Sequence, residues 1–304
     1  MDFSFTDEQQ ELKRSAREWL AARYPLDRDW EAQDDAWSEL ADLGWLGVSV
    51  PEQEGGAGLG FVEEAILLEE LGYALYPGPY LATVGLALPW LGPEQRARVA
   101  AGEERWSVEA NGLVPWLGAV DLVVADGAAY PARGDEEPTV DPTRPLGRLV
   151  RGEASPLPGA DDEPRANAAM ACEAVGVAQR ALELGVEHAR TREQFGKPIG
   201  VYQAVSHALA DTYAEVELAR SLAYWAAWCV AEGDAQAPAA AAAAKAFATE
   251  AAVAACERSI QVHGGTGFTW EHPLHRFYKR ALWLEGFGLR PAELRLEVAE
   301  VLLA

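Results

Sequence analysis

Cysteine, methionine and histidine are scarce here: three, two and five residues in a chain of 304. Cys172, Cys229 and Cys256 lie far apart, and no C-x-x-C or H-x-x-x-H spacing occurs. This excludes a disulfide framework and a structural zinc site, and no metal is expected. Isolated thiols in alanine-rich helical stretches act as small buried hydrophobes of a reducing compartment. Positive charge is also short, with 25 Lys and Arg against 48 Asp and Glu, a formal net charge of -23. Such a surface neither binds nucleic acid through counterion release nor adheres to anionic membranes. The opening Met1-Asp-Phe-Ser-Phe-Thr-Asp-Glu8 is too polar for a signal peptide, and no uninterrupted apolar run reaches membrane-spanning length. The expectation is a cytoplasmic protein with no nucleic-acid or membrane partner.

What is present is ordinary globular material, 49% hydrophobic and 24% charged, long enough for two or three domains. Residues 1–100 carry helical periodicity. Thr6 and Gln9 form a capping box before Leu12, Ala16, Trp19 and Leu20. Trp37, Leu40, Leu43 and Leu46 mark a second amphipathic helix, and Phe61 to Tyr73 a third, with a short helix from about Leu81. The Gly-rich stretch Glu54 to Gly60 lacks the Gly-Lys-Ser/Thr ending of a phosphate loop.

Residues 101–160 change character. Leu122 to Ala125 and Thr139-Val140 read as short strands, broken by Gly, Pro and Asp. A β module this small must pack on the helical parts. The acidic clusters Asp135-Glu136-Glu137 and Asp161-Asp162-Glu163 read as solvated loops. Residues 161–304 are helical again, with helices expected over 165–191, 203–232 and 237–262. The last is nearly all alanine, which favours helix and close helix approach. The architecture expected is mainly α: an N-terminal helical domain, a small β module and a C-terminal four-helix bundle.

Two motifs carry chemistry. The first is Arg190-Thr-Arg-Glu-Gln-Phe-Gly-Lys-Pro-Ile199, followed by Tyr202-Gln203. Arginine in a last helical turn also complements the helix dipole. That accounts for Arg190 and Arg192 equally but leaves Phe195, Gly196 and Pro198 unexplained. A guanidinium fork holds two phosphate oxygens at once, and Phe195 offers an apolar face beside a nucleotide. The second motif is Gln261-Val-His-Gly-Gly-Thr-Gly267, where Gly264 alone would be an ordinary helix cap. Tandem glycines after a glutamine also let backbone amides approach a ligand.

Together with Leu43-Gly-Trp-Leu-Gly-Val-Ser-Val-Pro-Glu52, Leu68-Glu-Glu-Leu-Gly72 and Glu271-His-Pro-Leu-His-Arg-Phe-Tyr-Lys-Arg280, these motifs resemble the acyl-CoA dehydrogenase family along most of the chain. The resemblance implies FAD as cofactor. It gives Arg192, Gln194, Phe195, Gln203, Gln261, Gly264 and Gly265 contacts to the FAD adenosine and pyrophosphate across a subunit interface. His207 and His263 read as packing or surface residues.

The chain departs from the family in two places. The family's two positions for the catalytic carboxylate fall at Gly288 and Ala166, with Glu285 and Glu163 a few residues away. No Thr-Glu-Pro-Gly-Ala-Gly-Ser-Asp type stretch, which cradles the flavin ring in the family, occurs. No catalytic residue is therefore assigned. The resemblance is to the shortened subunit of the α2β2 acyl-CoA dehydrogenases of actinobacterial steroid catabolism. It implies a longer partner chain that supplies flavin cradle, base and most of the acyl-CoA site. The alternatives are a self-sufficient homomeric flavoenzyme using Glu285 or Glu163, and a non-catalytic scaffold that has lost FAD.

Overall fold

The computed structural model describes residues 5–30, 35–159 and 162–303. The expected module boundary at 160 and 161, and Asp161 of the acidic cluster, lie outside the described residues.

The first helix, α1 (Asp7–Arg23), starts at the expected capping box: Thr6 Oγ1 accepts from Gln9 N at 3.2 Å, and Gln9 Oε1 accepts from Thr6 N at 3.0 Å. The second, α2 (Trp37–Asp42), is shorter than its apolar spacing implies. Gly44 turns left-handed at φ 74° and the chain continues as a 3-10 turn, Trp45–Gly47. Trp37, Leu40 and Leu46 are buried, but Leu43 at the break is exposed. Next comes α3 (Phe61–Tyr73), as expected. The short helix from Leu81 is a wholly buried π-helical segment, Leu81–Ala87, and α4 (Pro93–Ala100) follows it.

The β module holds two small sheets. One has the order β1 (Trp106–Val108), β3 (Leu122–Ala125), β4 (Ala128–Pro131), β7 (Ser155–Pro156). The other has the order β2 (Val114–Pro115), β6 (Leu146–Leu149), β5 (Gly134–Glu137). Two sequence expectations fail here. Asp135-Glu136-Glu137 is not a loop but edge strand β5. Its acidic side chains are tolerated because Arg148 faces Asp135 across the ladder and donates to Glu137 Oε1 at 2.6 Å. Thr139-Val140 is not a strand. The chain bends there because the Asp141 carboxylate turns inward and accepts from Thr143 N and Thr143 Oγ1. In the second acidic cluster, Asp162 caps α5 by accepting from Arg165 N at 3.1 Å.

The C-terminal region is α5 (Glu163–Thr191), α6 (Gln203–Ala231), α7 (Ala237–His263), α8 (Leu274–Gly286) and α9 (Pro291–Leu303). The alanine-rich α7 is central and packs on the other four. By length and mean hydropathy the stretch Ala237–Phe268 would suffice to cross a membrane, although Lys245 and Glu250 interrupt its apolar run. Yet 67% of its apolar window is buried in the bundle. Its apolarity is that of alanines packed between helices.

Two features join the N-terminal region to the rest. Gly72 of α3 and Gly176 of α5 meet at a helix crossing. A Cβ on Gly176 would collide with the Glu69 carbonyl, and one on Gly72 with the Glu173 carbonyl. Beside this crossing lies a buried ionic cluster. Arg280 of α8 donates to Asp141 Oδ2 at 2.6 Å, Glu173 Oε1 at 2.8 Å, Thr143 Oγ1 at 2.7 Å and the Tyr76 carbonyl at 3.1 Å. Arg144 also pairs with Glu173 and lies over the Trp116 and Trp283 rings. Burial pushes the Asp141 and Glu173 carboxyls up. The Arg280 and Arg144 guanidiniums more than reverse this and hold both below the usual carboxylate range.

Candidate cofactor-binding site

The arginine motif folds as a helix end and a tight hairpin. Glu193–Gln194 pairs with Lys197–Pro198, and Phe195 (φ 53°) and Gly196 (φ 75°) form the two-residue turn. Two consecutive positive φ angles are those of a type I′ turn, which accounts for Gly196. They do not account for Phe195. A left-handed conformation costs a non-glycine residue about 1 kcal/mol, and the Phe195 ring is 92% exposed. The turn thus presents an exposed aromatic face to solvent. Tyr202 braces the turn by donating to the Gln194 carbonyl at 3.2 Å.

Arg192 caps α5 through its backbone, donating to His188 O and accepting from Ile199 N, both at 2.8 Å. Its side chain is exposed, as are Gln194, Gln203 at the start of α6 and Gln261 near the end of α7. Gly264 ends α7 at φ 63°, ψ -137°, a conformation in which side chains are rarely found. A Cβ on Gly264 or Gly265 would meet nothing within 4 Å, so no internal packing demands Gly265. Its backbone is open to approach from outside.

The two motifs, some seventy residues apart, meet at one end of the bundle. The contact that joins them is absent from the sequence reading: His188 of α5 stacks on His263 of α7, ring centroids 4.1 Å apart. His272 lies against His263 at 4.4 Å, and His263 Nδ1 contacts Ser259 O at 2.8 Å. His263 is thus a packing residue, and His207 is exposed on α6. A sequence signal exists in hindsight: His188 precedes Arg192 by one helical turn, and His263 lies inside the glycine motif.

Burial lowers His188, His263, His272 and His275, the last two to about 4. Neighbouring imidazoles lower His188 and His272 further, Arg192 also acts on His188, and Arg276 and Lys279 act on His275, while the Ser259 carbonyl partly offsets the fall at His263. These groups resist protonation when folded, so their stability contribution is whole above the ordinary histidine pKa. It drains away as pH falls from about 6.5 toward about 4. Melting curves at pH 7 and pH 5 test this. The fall in Tm for His272→Asn should be smaller than that for the parent chain by roughly 2 °C. Equal falls would show that the stack does not titrate.

The two base positions lie elsewhere, on a cavity of about 490 Å³ between the β module, α5, α7 and the end of α8. Ala166 and Gly288 both line it. Gly288 sits at φ 71°, and a Cβ there would lie 3.2 Å from Lys245 Nζ. Backbone and lysine together disfavour a side chain at that position. Glu163 is exposed at the cavity wall. Glu285 does not line this cavity. Burial and the Glu250 and Glu257 carboxylates raise its pKa.

Comparison with known proteins gives the context. Residues 6–98 match the model of the acyl-CoA dehydrogenase N-terminal domain, and residues 165–288 that of the C-terminal domain. The chain is 36% identical over 277 residues to acyl-CoA dehydrogenase IpdE2 of Mycobacterium tuberculosis, covering 86% of this chain and 84% of the relative. The chain belongs to the acyl-CoA dehydrogenase family. The two matched stretches flank the β module. Among solved structures, a variant of the Tcur3481-Tcur3483 steroid ACAD superposes with TM-score 0.87 at 28% identity, over 98% of both chains. The ChsE4-ChsE5 complex from Mycobacterium tuberculosis gives 0.85 at 25%, over 100% of this chain and 99% of that one. Members of the acyl-CoA dehydrogenase family bind FAD, and the exposed surface at the bundle end fits a dinucleotide tail. It presents a guanidinium, three side-chain amides, an aromatic face and glycine backbone open to solvent.

Proposed function

We propose that this chain is one subunit of a heteromeric FAD-dependent acyl-CoA dehydrogenase acting on a bulky substrate; the structures it resembles include a steroid ACAD. The reaction is α,β-dehydrogenation of an acyl-CoA, here taken to be steroid-derived. Its regions are an N-terminal helical domain (1–100), a shortened β module (101–160) and a C-terminal bundle (161–304). Arg192 holds pyrophosphate oxygens. Gln194, Gln203 and Gln261 hydrogen-bond the adenosine end, Phe195 covers it, and Gly264 and Gly265 admit the backbone. A longer acyl-CoA dehydrogenase-like chain, in an α2β2 assembly in the cytoplasm, supplies the flavin cradle, the base and most of the acyl-CoA site. FAD bound there would supply the hydride acceptor for the acyl β-carbon, and the partner's base would take the α-proton.

The observation that carries this reading is the division of the chain's chemistry. The nucleotide-binding residue types all stand exposed at one end of the bundle, while both base positions lack a carboxylate. A self-sufficient enzyme would have to use Glu163, which lines the cavity, since Glu285 does not. A scaffold without FAD would leave the exposed Phe195 face without a use. The test is expression of this chain alone and together with such a longer chain. Flavin and acyl-CoA-dependent reduction of an electron acceptor are expected only in the co-purified complex. A yellow, active chain on its own would overturn the proposal in favour of the self-sufficient reading.

A further inference from the structure

Lys245 is the chemically conspicuous residue of the 490 Å³ cavity. It is 1% exposed and lines the cavity from α7. The one hydrogen bond of its ammonium among the described residues goes to the Phe287 carbonyl at 2.9 Å, and none of their carboxylates comes within 4.0 Å to pair with it. An ammonium removed from water without a counter-ion is costly. Burial accordingly lowers its pKa to about 8, against the opposing pull of Glu163 on α5 and Glu293 and Glu297 on α9. The acidic groups of the β module do not serve it: Glu109 and Asp126 are both paired with Arg151.

A second polar group shares the cavity. Asn167, one residue after Ala166 on α5, is 5% exposed and lines the wall. Its side-chain amide makes no hydrogen bond to a described residue. Leu86, Val108, Val124 and Met170 give the remaining walls much apolar surface; Glu109 and Asp126, both paired with Arg151, and the exposed Glu163 also line the cavity. A buried ammonium with two N–H donors unused, an unpartnered amide and a partly apolar enclosure of this size form a pocket for a small amphipathic anion.

We propose that this cavity binds an organic carboxylate with an apolar body, its carboxylate on Lys245 and Asn167. The inference does not rest on the FAD-tail contacts, because none of the bundle-end residues lines the cavity; it concerns the place where the two base positions, Ala166 and Gly288, lack a carboxylate.

The test uses the full-length chain with hexanoate as probe and 1-hexanol as its neutral counterpart, measured by calorimetry or ligand-observed NMR. Hexanoate should bind at least about tenfold more tightly than 1-hexanol, the difference made by a charge-assisted hydrogen bond. Lys245→Met should remove that preference, and Asn167→Ala should reduce it. Hexanoate affinity should also fall as pH rises through about 8, where Lys245 loses its proton. This arm needs no variant to fold. Equal binding of the two probes, no binding of hexanoate, or a flat pH profile between pH 6 and pH 9 would overturn the proposal.

Discussion

Arg192→Ala in the assembled complex is expected to lower FAD affinity at least tenfold. A charge-assisted contact to phosphate is worth about 1.5–3 kcal/mol, and about 1.4 kcal/mol corresponds to a factor of ten. The substitution removes an exposed side chain whose residue is held by backbone hydrogen bonds to His188 and Ile199. The fold should therefore survive, and flavin content per complex reads the binding term alone. Arg190→Ala is the control, since it lies in the same last turn and complements the helix dipole equally. If both variants keep full flavin, the motif is structural and the scaffold reading gains. Lys at 192 should restore only part of the affinity, because an ammonium lacks the planar fork.

Arg280→Met should cause the largest loss of stability. It leaves the Asp141 and Glu173 carboxylates buried, with Asp141 losing its main partner. Breaking a buried ion pair from one side costs about 3–5 kcal/mol, which lowers Tm by roughly 10 °C in a domain of this size. The pairing with Asp141 can be isolated, because Asp141→Asn in the Arg280→Met background removes one of the stranded charges. That double variant should melt above the single one. A single variant that melts within about 2 °C of the parent would mean the cluster is hydrated rather than dry.

The helical framework was legible because its signals are local. Thr6 with Gln9 and the alanine run each specify their own backbone. The β module was read less well, since Asp135 to Glu137 form a strand only because Arg148 stands opposite. Thr139 and Val140 leave the strand pattern because Asp141 is drawn toward Arg280. Of the candidate site, the residue types were visible in the motifs. Their convergence depends on the His188–His263 stack, a contact between helices that no spacing along one helix reveals. Lys245 was invisible for the same reason. Within an alanine-rich helix it reads as a solubilising surface charge, and only the packing of α7 at the centre shows that it is enclosed.

The glycine crossing of α3 and α5 has a mechanical consequence. With Gly72 set against the Glu173 carbonyl and Gly176 against the Glu69 carbonyl, a small slide of either helix brings backbone against backbone. The N-terminal region and the bundle behave as one stiff frame. If the cavity takes ligands of different girth, the space must come from its other walls, the short strands of the β module and the Phe287 to Leu289 segment.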